Sequence, residues 1–391
     1  MYDVVLSEKN VKDKVFSINS LSELTVTSSG GREEVICKNS SVDFDVLAEE
    51  GDIISVLLVS LNGSLVYLRY VLGEWKKYIL LDSRSGGKKI NSIKLIKLNG
   101  RIHAFYCIEY EDRMMLVHHI SEDDVFSREP VVIDYISAKC SYDICIDESM
   151  NIHILYADED YKIKHTVFVN SRKNYSKSEI NLEDEIRSIN CAYFCGSVYA
   201  VYLSRERDYN VINCLKTENN EKHTIGFGVD ALSEPCIFVA DDEMYVEWRE
   251  KGYAFECVSD ASFKFSKPTS LGRSEKTVKI RCHENEAVSY IDKCALNMQL
   301  KPFTSCQNIL KNLFDKKKPG FKVKGADVEE YASKRFVQGE IDLKIQNIER
   351  QISMLLNSVD NLYKRFDESL KKENFNVPKN DEMEYIESGE E

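Results

Sequence analysis

One short pattern returns along the chain at nearly constant spacing. It reads ISVLL (54–58), IHAFY (102–106), IHILY (152–156), VYAVY (198–202), MYVEW (244–248) and EAVSY (286–290). The closing residues Leu58, Tyr106, Tyr156, Tyr202, Trp248 and Tyr290 lie 48, 50, 46, 46 and 42 positions apart. A fixed period of this length marks an array of structural units. Each copy alternates with period two and is rich in β-branched and aromatic residues, so the units are built of strands and a helical solenoid is excluded.

Every copy is flanked by further strand-like runs. From residue 92 to 136 these are SIKLIKL, RIHAFYCI, RMMLVHHI and EPVVIDYI; the next unit reads SYDICID, NIHILYA, KIKHTVF and YSKSEIN. Four short strands every 40 to 50 residues is the pattern of a β-propeller blade. Six copies span 41–306, and YDVVLS, KVFSIN, ELTVTSS and EEVICK in residues 1–40 supply most of another blade. The expectation is an all-β propeller over residues 1–306 with seven blades, six being the alternative. YDVVLS would serve as a closing strand that removes an exposed edge.

The spaced strands with an aromatic ending the second one resemble the broad group of bacterial β-propellers related to sialidases and propeller lectins. The Asp-box of the sialidases, Ser-x-Asp-x-Gly-x-Thr-Trp, has no counterpart: SDASFKF (259–265) keeps the Ser and Asp and lacks the Gly and Trp. No unit ends in Trp-Asp. The resemblance therefore implies the fold, and carbohydrate binding as one function of such folds, without the hydrolytic site. Richness in Lys, Ile and Asn resembles that of clostridial proteins and implies an association with a spore or envelope assembly.

Charge and cysteine usage narrow the classes. The formal charge is −13; residues 307–391 hold 15 Lys+Arg against 17 Asp+Glu, so the acidity resides in 1–306. Nucleic-acid binding by counterion release needs a basic surface, and none is expected here. No run approaches the roughly 18 apolar residues of a membrane span, and the N-terminus lacks the basic and apolar regions of a signal peptide, so a cytoplasmic location is expected. The 12 cysteines form no Cys-x-x-Cys pair and fall mostly in strand-like runs, as reduced buried thiols would. Cys191 and Cys195 could share one strand face.

Candidate site residues fall into a few groups. His103 and His153 occupy one repeat position, where other copies hold Ser55, Tyr199, Tyr245 and Ala287; tolerant packing between blades fits that variety better than a catalytic pair. Tyr106, Tyr156, Tyr202, Trp248 and Tyr290 are structural repeat residues that would fill the wedge between blades, the alternative being sugar-stacking platforms. Acidic turns stand at Glu49, Glu50 and Asp52, at Asp158, Glu159 and Asp160, and at Asp241, Asp242 and Glu243. A glycosidase needs two carboxylates converging on one bond, and nothing in the sequence brings these together. No phosphate loop, nucleophile elbow or metalloprotease helix occurs. No catalytic residue, metal ligand or cofactor is expected.

Beyond Cys306 the period changes. A Lys-rich link (307–325) precedes an expected coiled coil (326–372) and an acidic, disordered tail (373–391). Ile341, Ile345, Ile348, Ile352, Leu355, Val359, Leu362 and Phe366 step by alternating intervals of four and three, the seam of a two- or three-stranded coiled coil. The chain thus reads as a non-enzymatic scaffold: a homo-oligomer, dimer or trimer, displaying several propeller surfaces to an unknown protein or glycan. A carbohydrate-binding, lectin-like propeller is the alternative, and a sialidase-like glycoside hydrolase comes third.

Overall fold

A computed structural model describes residues 3–296 apart from 9–10, 29–30, 50–52, 84–88, 112, 123–124, 128, 139–140, 181–184, 207–208, 229–231, 233, 241 and 285–286. Residues 297–391 lie outside the described residues.

The described strands form six antiparallel blades. Blade I is β1 (Asp3–Glu8), β2 (Val11–Ile18), β3 (Leu24–Ser28) and β4 (Glu33–Cys37). Blade II is β5 (Ser40–Glu49), β6 (Ile53–Ser60), β7 (Leu65–Val71) and β8 (Glu74–Leu81). Blade III is β9 (Ile90–Leu98), β10 (Arg101–Tyr110) and β11 (Arg113–Glu122), with the short β12 (Val125–Phe126) and then β13 (Val131–Ile136) both on β11. Blade IV is β14 (Tyr142–Ile146), β15 (Ile152–Ala157), β16 (Ile163–Val169) and β17 (Asn174–Ile180). Blade V is β18 (Glu185–Phe194), β19 (Ser197–Glu206), β20 (Tyr209–Lys216) and β21 (Glu221–Gly228). Blade VI is β22 (Cys236–Ala240), β23 (Glu243–Glu250), β24 (Tyr253–Ser259) and the start of β25 (Thr269–Glu284).

The burial of each strand follows from its place in the blade. Second strands are covered on both faces, and in β19 every residue from Ser197 to Ser204 is buried. They need apolar residues at odd and even positions alike, as in parallel-sheet strands. Fourth strands face solvent and become polar, as in EWKKYILL of β8 and NYSKSEI of β17. The core is therefore a set of wedges. One wedge joins blades I and II around Phe16, Leu24, Phe44 and Val56; the next joins II and III around Leu57, Tyr67, Leu95 and Tyr106. Further wedges join III to IV, IV to V and V to VI. Several hairpins turn through two consecutive residues with positive φ, such as Asn99 (49°) and Gly100 (74°). That geometry matches the strand twist and favours Asn-Gly.

The expected seventh blade does not form. The last repeat, EAVSY, lies in β26 (Ala287–Leu296), which hairpins with the second part of β25. Two strands cannot make a four-stranded blade. β25 leaves β24 after Arg273 and then pairs in parallel with β1, Asp3 opposite Val278 and Val5 opposite Ile280. The hairpin is thereby added to the inner edge of blade I, and the ring has six blades. YDVVLS does act at the closure, as a parallel partner of β25. The coiled-coil expectation is not supported either. No α-helix occurs among the described residues, and the whole seam from Ile341 to Phe366 lies outside them, as do the link and the tail.

Candidate functional site

The inner strands are stitched by polar side chains at one height. Asp45 of β5 is fully buried; one oxygen accepts the Val46 N–H at 2.9 Å and the other accepts Leu95 N–H of β9 at 2.6 Å. Asp143 of β14 repeats the device, accepting Cys191 N–H of β18 at 2.7 Å and Lys94 Nζ of β9 at 2.7 Å. Asn190 of β18 accepts Ile237 N–H of β22 at 3.3 Å. Lys279 of β25, itself buried, reaches Asp45 at 3.4 Å. A charge this deep is tolerable only when paired and hydrogen-bonded. These contacts hold each inner strand against the next.

Beside this belt lies a cavity of about 250 Å³ to which all six sectors of the ring contribute. Asp43 comes from the first strand of blade II, Ser92, Ile93 and Lys94 from blade III, and Ser141 and Tyr142 from blade IV. Ile189 and Asn190 come from blade V, Glu234, Pro235 and Cys236 from the approach and start of β22, and Thr277 and Lys279 from β25. Burial raises the Asp43 carboxyl above its ordinary pKa, an effect opposed by the Ser92 N–H that donates to it and by the charge of Lys279. Tyr142 is fixed by its hydroxyl, which donates to the Ser92 carbonyl at 2.6 Å. Ser141 bridges to the backbone of Ile189, accepting its N–H at 3.3 Å. The lining thus offers carboxylate, ammonium, amide and hydroxyl groups beside the apolar faces of Ile93, Ile189 and Pro235.

The repeat residues are placed elsewhere. Tyr106, Tyr156 and Tyr202 are wholly buried and Trp248 is 4% exposed; the side chain of Tyr290 lies outside the described residues. Tyr156 donates to Asp134 at 2.7 Å, and burial raises its phenol and that of Tyr106 well above the ordinary value. His103 and His118 stack with ring centroids 5.0 Å apart, and their facing nitrogens are 2.9 Å apart. His153 and His165 repeat this in blade IV at 5.1 and 2.9 Å. Burial lowers His103 and His165 to about 4 and holds His118 well below its ordinary value, so all three rings are neutral near pH 7. Nε2 of His103 is buried and has no hydrogen-bond partner among the described residues.

None of the described acidic-turn residues lines the cavity, and Glu50, Asp52 and Asp241 lie outside the described residues. Glu49 is buried and accepts from Lys97 and Ser55, each at 2.9 Å. Glu159 bridges to Arg113 and Asp158 to Lys164. Cys191 is buried in the wedge between blades IV and V, whereas Cys195 is exposed in a turn at φ 46°, so they share no face. Among the described residues no group of three or more His, Cys, Asp or Glu side chains could hold a metal ion. The belt and the cavity were missed in the sequence. Their signal was a polar residue inside the first strand of successive units, at 45, 94, 143 and 190, spaced like the aromatic repeat but different in type from copy to copy.

No protein-family model and no curated protein matches the chain. Solved structures do resemble it. AofleA from Arthrobotrys oligospora is 12% identical over 66% of this chain and 80% of its own, with a TM-score of 0.44. A lectin from Aleuria aurantia, described as a six-bladed β-propeller with a novel fucose recognition mode, is 10% identical over 69% and 94%, with a TM-score of 0.42. A GH43 endo-arabinanase from Bacillus licheniformis is 13% identical over 59% and 97%, with a TM-score of 0.35.

Proposed function

We propose that the protein is a carbohydrate-binding propeller whose axial cavity takes one polyhydroxylated ring. The observation that carries this reading is the cavity to which every sector of the ring contributes, lined by groups of both hydrogen-bonding senses. Its volume falls below the roughly 300–1,000 Å³ of drug-sized sites, which suits a single sugar unit. Charge supports a neutral ligand over an ion. Lys94 and Lys279 are each engaged by a belt carboxylate, and Asp43 and Glu234 balance them in sign. A half-buried carboxylate such as Asp43 can accept from two adjacent hydroxyls, while Ile93, Ile189 and Pro235 face the C–H surface of a ring.

The reading is of binding without turnover, and it displaces the scaffold as the leading function, because the seam on which the scaffold rested lies outside the described residues. The test is a glycan array on the full chain, followed by calorimetry with the best monosaccharide and the Asp43→Asn and Asn190→Ala variants. At least a tenfold loss of affinity in Asp43→Asn is expected. An array without hits, or full binding in both variants, would remove the axial cavity from the account, and release of shortened glycan would replace a lectin with a hydrolase.

A further inference from the structure

Cys145 and Cys191 stand on β14 and β18, the inner strands of blades IV and V, 46 residues apart in sequence. Both belong to the wedge between those blades, Cys191 in its buried core and Cys145 packed against it, and Cys145 is among the neighbours that raise the Cys191 thiol. The strands are pinned together at this height, since Asp143, two residues before Cys145, accepts the N–H of Cys191 itself at 2.7 Å. The two sulfurs differ in access. Cys191 is 6% exposed, while Cys145 is only partly buried. Burial pushes the Cys191 thiol well above its ordinary pKa, so it is the less reactive sulfur toward a solvent oxidant.

We propose that Cys145 and Cys191 form a reversible inter-blade disulfide in response to a hydroperoxide. In the first step the Cys145 thiol is oxidised: its sulfur bonds to one oxygen of hydrogen peroxide as the O–O bond breaks, the other oxygen leaves as hydroxide and takes the thiol proton to become water, and Cys145 is left as a sulfenic acid. In the second step the Cys191 sulfur attacks the sulfenic sulfur, the S–O bond breaks, and the Cys191 proton leaves with the hydroxyl as a second water. Two thiols have lost two electrons and one peroxide has gained them. The bond staples blade IV to blade V. Because Ser141 and Tyr142 precede Cys145, and Ile189 and Asn190 precede Cys191, it also fixes two walls of the axial cavity relative to each other. The disulfide does not depend on what that cavity binds.

The experiment treats the full chain with hydrogen peroxide and maps its thiols by alkylation and fragmentation mass spectrometry without reductant. A Cys145–Cys191 link that dithiothreitol reverses is expected, with a rise of about 5 °C in the unfolding midpoint. Cys145→Ser should abolish both the link and the rise. Cys191→Ala should leave Cys145 as a sulfenic acid that dimedone traps, which separates a missing resolving thiol from a misfolded chain. Cys145 still open to alkylation after treatment, or a link made by Cys195 instead, would overturn the proposal.

Discussion

Acidification should unfold this ring from inside, and His103 shows by how much. In the unfolded chain a histidine has a pKa near 6.5, whereas burial holds His103 at about 4. Between these values the unfolded chain binds a proton that the folded ring refuses. Stability is therefore complete above pH 6.5 and falls as the pH drops toward 4. One proton of difference corresponds to about 1.4 kcal/mol per pH unit, and the whole interval to about 3 kcal/mol for this one ring. His118 shifts in the same direction through burial, and His165 is also held at about 4. Together they can remove a large part of the roughly 5–15 kcal/mol typical of a folded protein. The assay is urea unfolding followed by tryptophan fluorescence from pH 7.5 to 5. That range stays above the usual titration of carboxylates. His103→Phe keeps the ring stacked in the wedge and should reduce the slope between pH 6 and 5 by about 1.4 kcal/mol per unit. A flat profile, or an unchanged slope in the variant, would refute neutral burial of these rings.

Three further outcomes follow from the belt, the wedges and the turns. Asp143→Ala removes the carboxylate that accepts from Lys94 and from the buried Cys191 N–H and should cost about 3–5 kcal/mol in chemical unfolding; a loss below about 1 kcal/mol would show that water already reaches the belt. Tyr156→Phe removes the hydroxyl's bonds to Asp134 and Thr166 and should cost about 1–2 kcal/mol, against about 3–5 kcal/mol for Tyr156→Ala, and equal losses would contradict a buried ring. Gly100→Ala places a side chain at φ 74° with nothing within 4 Å of the new Cβ, so its cost of about 1 kcal/mol should come from backbone strain alone and appear as a small shift in melting midpoint.

What the sequence showed depended on how many positions repeated a residue type. The second strands were legible because Tyr106, Tyr156, Tyr202 and Trp248 return with similar bulk, and their blades lie where the period placed them. The blade count failed at the closure. There EAVSY mimics a second strand, but among the described residues its unit supplies only β25 and β26, and a pairing between Val4 and Lys279, 275 residues apart, decides the architecture. Non-local pairing of that kind leaves no local signature. The cavity was hidden for a different reason. Its walls include Asp43, Ser92, Asn190, Glu234 and Thr277, with one to three residues from each unit, and chemically diverse positions do not register as a repeat. His103 and His118 lie on adjacent strands and meet diagonally across them, so only the equivalence of His103 with His153 was visible in the chain.

The most direct test of the central claim is a crystal structure of the full chain grown with the best-binding monosaccharide. The account predicts six blades, with sugar density in the axial cavity, one hydroxyl pair on Asp43 and the ring face against Ile189 or Pro235. Density seated between blades on the outer rim, with the axial cavity holding only solvent, would contradict it.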